Sequence, residues 1–266
     1  MYKLLTLDID DTLTHVPTQA PDEIVAAVDR ARRAGIRVAL ATGRGYFASS
    51  SIVKQLNICE PVINYGGAII SAPFDGSLVY STQIPPELVT DILETAKSYG
   101  VHAHIYQGDV VIGERYNEYM EAYCARLDLP KAYDPQLRDK LWHNVPKVLM
   151  MTTEEHSAQL RPIFQEKYRG ILKVSGSSKG FIEFNHPSAH KGSGLAWLAD
   201  HLGIKQEETV AVGDNSLDIE MIQWAGLGCA VENAKEEIKA AADMVIPSCS
   251  ECGVAYLIDR LIEGSI

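Results

Sequence analysis

Short apolar runs alternate with amphipathic stretches over residues 1–82 of the chain. Leu4–Leu7 and the run 36–41 are bounded by polar residues or turn formers, as buried strands are. The intervening stretch 21–34 begins with a proline, carries apolar residues at helical spacing and is followed by Gly35, which predicts a helix with a defined start and end. Strands that alternate with helices indicate βαβ units and a largely parallel sheet.

The pattern changes at the Pro85-Pro86 pair. Pairs of strands flanked by helices follow as far as residue 184, and single strands alternate with helices again after His186-Pro187. The sequence therefore predicts an α/β fold, with a doubly wound, mostly parallel Rossmann-like sheet as the core and an inserted α+β cap domain. The core would comprise residues 1–83 and 188–266, and the insert would comprise residues 84–187.

Composition and charge restrict the partners of the protein. Its 266 residues are 46% hydrophobic, which suffices for a real core, and they carry a formal net charge of −11. Nucleic acid is not expected as the main partner, because a phosphate backbone requires basic patches, whereas a small phosphorylated substrate responds to its local site. Because the sequence shows neither a signal-peptide pattern nor an apolar run of about 18 residues, no membrane association is expected.

The cysteines favour a reducing, cytoplasmic location, because they are an odd number, five, and are scattered along the chain. Cys249 and Cys252 have the spacing of a redox or zinc motif. There is no second cysteine pair, however, and a structural zinc ion needs four ligands. We therefore interpret these two residues as ordinary cysteines of a surface loop.

The segment Asp8-Ile9-Asp10-Asp11 holds the strongest chemical signal in the sequence. Its three carboxylates directly follow a predicted buried strand, and ligands bind at this end of the strands in open α/β sheets. Like charges so close together are costly unless a cation or a proton offsets them, and a divalent metal with oxygen ligands is the natural remedy. The segment therefore predicts a metal-assisted site.

Further polar features follow predicted core strands or begin a neighbouring helix: Ala41-Thr42-Gly43-Arg44, Lys191, and Gly213-Asp214-Asn215 with Asp218. The carboxyl ends of parallel strands share one edge of a sheet, so acid, hydroxyl and ammonium groups should converge there. Each feature alone is weak, since Thr42 can simply cap a helix. Lys191 is better evidence of function, because the helix dipole opposes a cation at a helix start.

With these motifs in this order, the chain resembles the haloacid dehalogenase superfamily and specifically its Cof-type phosphatases, which carry a large α+β cap between the second and third motifs. The resemblance spans essentially the whole chain. It implies that Asp8 is the nucleophile and that Asp10 is the general acid and base. It also implies a Mg²⁺ ion held by Asp8, by Asp214 and by Asp10, the last through its backbone carbonyl.

The same resemblance assigns the remaining site residues. Thr42, Gly43 and Lys191 would bind the oxygens of the transferring phosphoryl group. The late acidic motif of the family matches Asp214 and Asp218, and we assign Asn215 and Asp218 the role of supporting the residues that contact metal and phosphate. The implied activity is Mg²⁺-dependent hydrolysis of small phosphorylated metabolites, such as sugar phosphates, FMN or pyridoxal phosphate, through an aspartyl-phosphate. We expect a monomer or a weak homo-oligomer. Two alternatives stay open: a signalling module that only stores the phosphoryl group, and a sugar phosphomutase of the same fold.

Two positions depart from the family pattern. Leu217 stands where the family commonly has asparagine, and Gly66-Gly67-Ala68 replaces Asn-Gly-Ala. Both departures bear on substrate selectivity more than on the type of reaction. The insert is expected to close over the site and to set specificity. A place in the core of the insert is the preferred interpretation of three of its tyrosines, with contact to a leaving group as the alternative: Tyr106, Tyr116 and Tyr119.

Overall fold

The computed structural model describes residues 2–176 and 178–266, and the contacts within it divide the chain into two compact units. The first, the core unit, contains the residues up to Tyr80 together with His190–Ile266. The second, the insert unit, is Ser81–Ala189. Within the described residues, no helix is both long enough and apolar enough to cross a membrane.

Helices and strands follow one another in three blocks. The block before the insert contains β1 (Leu4–Leu7), α1 (Asp22–Arg33), β2 (Arg37–Leu40), α2 (Tyr46–Gln55), β3 (Val62–Asn64), β4 (Ile69–Ser71) and β5 (Leu78–Ser81). The insert contains α3 (Pro86–Ser98), β6 (His102–Gln107), β7 (Val110–Gly113), α4 (Glu118–Leu127), β8 (Lys131–Tyr133), β9 (Lys147–Met151), α5 (Glu154–Lys167), β10 (Lys173–Ser175) and β11 (Phe181–Asn185). The last block contains α6 (Lys191–His201), β12 (Thr209–Gly213), α7 (Ile219–Trp224), β13 (Leu227–Val231), α8 (Glu236–Lys239), β14 (Met244–Ile246) and α9 (Gly253–Glu263).

The main sheet of the core unit is parallel, which confirms the predicted α/β fold. Its strands lie in the order β14-β13-β12-β1-β2, and each neighbouring pair runs in the same direction. The chain leaves β1 towards one edge of the sheet and leaves β12 towards the other. In open α/β sheets, ligands bind at such a switch point, outside the carboxyl ends of the strands. Asp8 and Asp214 directly follow these two strands.

Helices cover both faces of this sheet because its central strands are apolar on both sides. Leu5 and Leu7 of β1 belong to an apolar cluster that includes residues of α1 and α9. Leu4 of the same strand belongs to a second cluster, with residues of α6 and α7, on the opposite face. Burying each of these side chains contributes about 1.5–3 kcal/mol relative to exposure. Strand β1 is therefore packed on both sides, and it holds the following residue, Asp8, at a fixed position at the edge of the sheet.

The insert unit is built on a six-stranded sheet in the order β10-β11-β9-β6-β7-β8. Its neighbouring strands are antiparallel except for β7 and β8. Helices α3 and α5 contribute to an apolar cluster that includes Phe164 and Phe184. The strand β8 is missing from the sequence prediction, because its three side chains are exposed and show no apolar alternation.

Two interpretations made from the sequence are wrong in part. Cys249 is not a surface residue, since it is 3% exposed; the turn that carries it belongs to the core unit, and the backbone N–H of Cys249 donates to the side-chain oxygen of Asn233 at 2.8 Å. Among the tyrosines assigned to the core of the insert, Tyr106 is buried, but Tyr116 and Tyr119 are 67% and 43% exposed. These two tyrosines lie around the start of α4, whose buried residues are Met120 and Cys124.

Candidate active site

Three carboxylates converge at the switch point of the core sheet. Asp8 follows β1, Asp214 follows β12, and Asp218 immediately precedes α7. One carboxylate oxygen of each residue lies within 4.8 Å of the others. Asp8 and Asp218 are buried, and Asp214 is partly buried. The structure thus brings together Asp8, Asp214 and Asp218, all of which the sequence places at one edge of the sheet.

Lys191 places a positive charge among these three carboxylates. Its ammonium nitrogen lies 2.5 Å from Oδ1 of Asp8 and 2.5 Å from Oδ1 of Asp218, and its side chain is 1% exposed. Lys191 is the first residue of α6, where the helix dipole does not favour a cation, so its two carboxylate partners are what stabilise it there. One ammonium group against three carboxylates leaves an excess of negative charge.

The pKa values of these groups reflect their crowding. Burial raises the pKa of Asp8 well above its ordinary value; Lys191 opposes this rise, and the nearby carboxylates add to it. Burial and the neighbouring Asp218 raise the pKa of Asp214 to about 6. Burial by itself would lower the pKa of Lys191, but its two carboxylate partners outweigh that effect and the pKa is raised. A further cation would relieve the repulsion between these carboxylates.

One atom of Asp8 is left without a protein partner. Its Oδ2 is buried, and the part of the chain that the structure describes offers it no hydrogen bond. Buried polar atoms of native proteins nearly always have a partner, so a ligand from outside the chain is expected here. Carboxylate oxygens are the ligands that Mg²⁺ prefers, and Asp8 and Asp214 present them together. The residues present therefore fit a hard divalent cation.

Asp218 positions its neighbours through both of its oxygens. While Oδ1 contacts the ammonium group, Oδ2 accepts hydrogen bonds from the backbone N–H groups of Asp214 and Asn215, each at 3.1 Å. Gly213 makes room for this side chain, because a Cβ atom at Gly213 would overlap with the Asp218 carboxyl group. Asp218 is also the residue immediately before α7, which begins at Ile219.

Two polar side chains contact Asp214 Oδ1: the Thr12 hydroxyl donates at 3.3 Å and the Asn215 amide donates at 3.0 Å. The amide oxygen of Asn215 accepts from the backbone N–H of Leu217 at 2.9 Å, so this side chain also shapes the loop. A Cβ atom on Gly43 would lie 3.5 Å from Cδ1 of Leu217. Leu217 therefore presents an apolar surface beside the predicted phosphate-binding turn.

Thr42 and Gly43 form a turn after β2, the strand that pairs with β1. Thr42 is fully buried, and its hydroxyl oxygen accepts a hydrogen bond from the backbone N–H of Arg44 at 3.1 Å. Thr42 does not cap the following helix, because α2 begins at Tyr46 with Gly45 as its N-cap residue. Since the bond to Arg44 uses the oxygen as the acceptor, the hydroxyl hydrogen can still be donated to a ligand.

The side chain of Asp10 is not part of the group of three carboxylates. It is 53% exposed, and the guanidinium group of Arg44 donates to both of its oxygens, with Nε at 2.8 Å from Oδ2. Arg44 is itself buried and also donates to the backbone carbonyls of Pro17 and Ala48. The sequence places Arg44 in the turn after β2 without indicating a partner for it. Spacing gives no signal for its pairing with Asp10, which orients the predicted general acid.

A comparison with known families decides the class of this site. The family model of haloacid dehalogenase-like hydrolases matches residues 5–258, a span that includes every residue of the site described above. The chain belongs to this family. Membership agrees with the resemblance seen in the sequence, and it accounts for buried acidic and basic groups gathered at the carboxyl ends of parallel strands.

Curated relatives of this haloacid dehalogenase-like hydrolase carry phosphatase names. The putative phosphatase YxeH of Bacillus subtilis is 29% identical over 98% of this chain and 99% of the relative. The 5-amino-6-(5-phospho-D-ribitylamino)uracil phosphatase YitU of the same organism is 27% identical over 96% of each chain. Together with the family match, these relatives identify the protein as a phosphatase.

Solved structures agree with this fold over nearly the whole chain. A haloacid dehalogenase-like hydrolase from Bacteroides thetaiotaomicron has a TM-score of 0.87 at 26% identity and covers 98% of this chain and 100% of its own. TM0651 from Thermotoga maritima has a TM-score of 0.84 at 30% identity, with coverage of 98% and 97%. BT4131, a sugar phosphatase of subclass IIB, has a TM-score of 0.82 at 25% identity, with coverage of 97% and 98%.

Gly66, which departs from the family pattern, and the neighbouring Gly67 give a matched test of how the hydrolase positions Lys191. Both Gly66 and Gly67 have positive φ values, of 65° and 98°, but only at Gly67 would a Cβ atom overlap with the backbone of His190. Gly66→Ala should cost about 1–2 kcal/mol of unfolding free energy, the usual penalty at positive φ. Gly67→Ala should cost about 1–3 kcal/mol more, because the overlap must also be relieved.

Urea denaturation of both variants, together with kcat for phosphate release, measures this difference. The Gly67→Ala substitution should also lower kcat more than Gly66→Ala does, because His190 directly precedes Lys191 in the chain. Equal stability and equal kcat in the two variants would show that the close approach of Gly67 to His190 does not position the lysine.

Proposed function

We propose that this hydrolase is a Mg²⁺-dependent phosphatase of small phosphorylated metabolites and that Asp8 is its nucleophile. The observation that carries the proposal is the buried Oδ2 atom of Asp8, which has no hydrogen-bond partner among the described residues and lies within a group of three carboxylates and one ammonium. Lys191 fixes the carboxylate by binding Oδ1, so the side chain has a defined orientation before substrate arrives. An oriented carboxylate beside a cation site is suited to covalent phosphoryl transfer.

Asp8 and Asp214 would hold the Mg²⁺ ion, with the backbone carbonyl of Asp10 as a third protein ligand. Both carboxylate oxygens of Asp218 already have protein partners, which supports a positioning role for this residue rather than a place among the ligands. When bound, the ion supplies positive charge that offsets the repulsion between the carboxylate of Asp8 and the phosphate dianion.

The proposed reaction proceeds in two steps at phosphorus. A carboxylate oxygen of Asp8 attacks the phosphorus, the bond from phosphorus to the leaving oxygen breaks, and Asp10 donates a proton to that oxygen. Asp10 then takes a proton from water, the water oxygen attacks the phosphorus, and the bond from phosphorus to Asp8 breaks to release inorganic phosphate. The covalent intermediate divides one very slow hydrolysis into two easier steps.

Three groups of the chain would bind the phosphoryl oxygens, where negative charge is spread during the transfer. They are the hydroxyl of Thr42, the backbone N–H of Gly43 and the ammonium of Lys191. The fork of Arg44 supports the role of Asp10, because two hydrogen bonds from one rigid guanidinium hold its carboxyl group in a single orientation. Arg44 thus positions the carboxyl group of Asp10.

The proposed substrates are monoesters of small polar alcohols, such as sugar phosphates or phosphorylated cofactors. The names of two relatives support this class, since one is a phosphatase of a phosphoribitylamino-uracil and another a sugar phosphatase. The test is a panel of such phosphates, together with FMN, pyridoxal phosphate and an aryl phosphate, ranked by kcat/KM in the presence of Mg²⁺. A stable phospho-protein without turnover would favour the signalling alternative, and an isomerised sugar phosphate would favour the mutase.

Binding of Mg²⁺ should stabilise the fold by a measurable amount. An ion that binds only the folded state adds about 2.7 kcal/mol of unfolding free energy at one hundred times its Kd. Urea denaturation with and without Mg²⁺ should show this gain in the unaltered chain. Asp214→Asn should remove most of it, because one predicted ligand is lost. Asp11→Asn, at a neighbouring side chain that is 61% exposed, should keep it. An equal gain in all three proteins would contradict the assignment of Asp214.

A further inference from the structure

The insert unit contains a cavity that the proposed phosphatase reaction does not use. It lies where the end of α3, the start of β6 and the segment before α4 meet, and its volume is about 200 Å³. That space is far larger than a single water molecule needs. All of its lining residues belong to the insert unit, whereas every residue of the candidate active site belongs to the core unit.

The charge of the cavity wall is opposite to that of the whole chain. Lys97, Arg115 and Arg138 line it, with Glu114 as the carboxylate among the lining residues, in a protein whose net charge is −11. Within the described residues, neither Lys97 nor Arg115 takes part in an ion pair. Arg138 pairs with Glu114, and its Nε atom lies 3.9 Å from Oε1 of Glu94, which is beyond hydrogen-bond distance. Even with Glu94 included, the three cations outnumber the two carboxylates, so the wall keeps an excess of positive charge.

Arg138 provides the strongest sign that a ligand belongs here. Its side chain is 18% exposed, and its Nε atom is buried without a hydrogen-bond partner in the described part of the chain. A buried guanidinium N–H ordinarily has an acceptor. Guanidinium groups match the oxygens of phosphate and carboxylate in a forked geometry, so two arginines and a lysine around one cavity are suited to an oxyanion.

The rest of the wall suits a small organic group as well as the anion. Leu93, Val101 and Leu137 are buried apolar residues that contribute to the wall, and the Tyr116 ring is 67% exposed beside it. The cavity also has a built-in reporter in His102, a lining residue whose ring nitrogen lies 3.1 Å from that of His104. Burial lowers the pKa of His102 to about 4, so its ring is neutral at pH 7 in the absence of a ligand.

We propose that this cavity is a second binding site, for the phosphate group of a small metabolite or for inorganic phosphate, held by Lys97, Arg115 and Arg138. The residues that would hold the anion all belong to the insert unit, and the proposal does not depend on the identity of the nucleophile. Inorganic phosphate is the product of the proposed reaction. Occupation of this site would therefore rise with the concentration of that product around the protein.

The test follows the ring C–H resonance of His102 by NMR in the 266-residue chain carrying Asp8→Asn, with the resonance assigned by means of His102→Gln. Inorganic phosphate and phenyl phosphate are the two probes, and the Asp8→Asn background prevents hydrolysis of the ester. Both Lys97 and Arg115 are exposed, so the variant Lys97→Gln/Arg115→Gln should fold normally. Arg169→Gln is the matched control, because its side chain is a 76% exposed cation of the same unit that does not line the cavity.

We expect a saturable shift of the His102 resonance with at least one probe, an apparent Kd at least tenfold higher in Lys97→Gln/Arg115→Gln, and an unchanged Kd in Arg169→Gln. Tighter binding of phenyl phosphate would assign the site to phosphate esters, and tighter binding of inorganic phosphate to the free ion. The proposal is overturned if neither probe shifts the resonance, if chloride at equal ionic strength shifts it equally, or if the double variant titrates like the control.

Discussion

Replacing Asp8 by asparagine should lower kcat for phosphate release by about 10⁴-fold or more while the chain stays folded. An amide does not form the acyl phosphate, and loss of a covalent nucleophile costs several orders of magnitude in rate. The fold should tolerate the change, because asparagine has a similar shape and burial already disfavours the charged form of Asp8, as its raised pKa shows. Steady-state rates with an aryl phosphate and saturating Mg²⁺, together with urea denaturation, measure both effects.

The matched control for this substitution is Asp11→Asn. Asp11 belongs to the same acidic segment, but its side chain is 61% exposed, and its backbone has a φ of 59°, which asparagine adopts readily. Its kcat should stay close to that of the unaltered chain. Wild-type kcat in Asp8→Asn, or an equal loss in both variants, would contradict the assignment of the nucleophile to Asp8.

Replacing Lys191 by methionine should lower kcat by about 10³-fold and also destabilise the fold. The rate should fall because a cation that stabilises the transferring phosphoryl group is lost. The unfolding free energy should fall by about 3–5 kcal/mol, the usual cost of removing one partner from a buried ion pair, because the Asp8 and Asp218 carboxylates lose their compensating charge. Lys205→Met is the control, since that side chain is 75% exposed and should matter little.

A double-mutant cycle separates the charge of Lys191 from its volume. In the variant Lys191→Met/Asp8→Asn, an uncharged amide replaces one of the two carboxylates that lost the lysine as partner. Part of the lost stability should therefore return. Urea denaturation of the two single variants and the double variant gives the coupling energy. Strictly additive effects, or a Lys191→Met protein as stable as the unaltered chain, would show that the buried lysine does not balance these carboxylates.

Much of the fold and the outline of the site follow from the sequence. Apolar runs that are buried on both faces predict parallel strands, and the carboxyl ends of parallel strands meet at one edge of the sheet. For this reason the pattern of residues alone assigns Asp8 and Asp214, which are far apart in the chain, to the same edge. The same argument brings Lys191 to this edge, and the structure adds the distances of its two ion pairs.

The sequence places both Asp10 and Asp218 near this edge, but it does not show which of their carboxylates joins those of Asp8 and Asp214, because that depends on where individual side chains point. Asp10 follows β1 nearly as closely as Asp214 follows β12, yet its carboxylate turns towards the buried Arg44. Asp218 instead enters the group, because a tight turn and the missing side chain of Gly213 let its carboxyl reach Lys191. Neither preference has a signature in residue spacing. The strand β8 could not be predicted either, because its three side chains are exposed and so lack the alternation of apolar and polar residues that marks a half-buried strand.

The most direct test of the central claim is to trap the covalent intermediate on Asp8. The Asp10→Asn variant lacks the base for the second step, so an aryl phosphate with a good leaving group should load the enzyme and leave it phosphorylated. Borohydride reduces an aspartyl-phosphate to homoserine, which mass spectrometry of the N-terminal peptide locates. We predict homoserine at position 8 only when substrate and Mg²⁺ are both present. Reduction at Asp214 or Asp218 instead, or an unmodified Asp8 under conditions that release the aryl alcohol, would contradict the account.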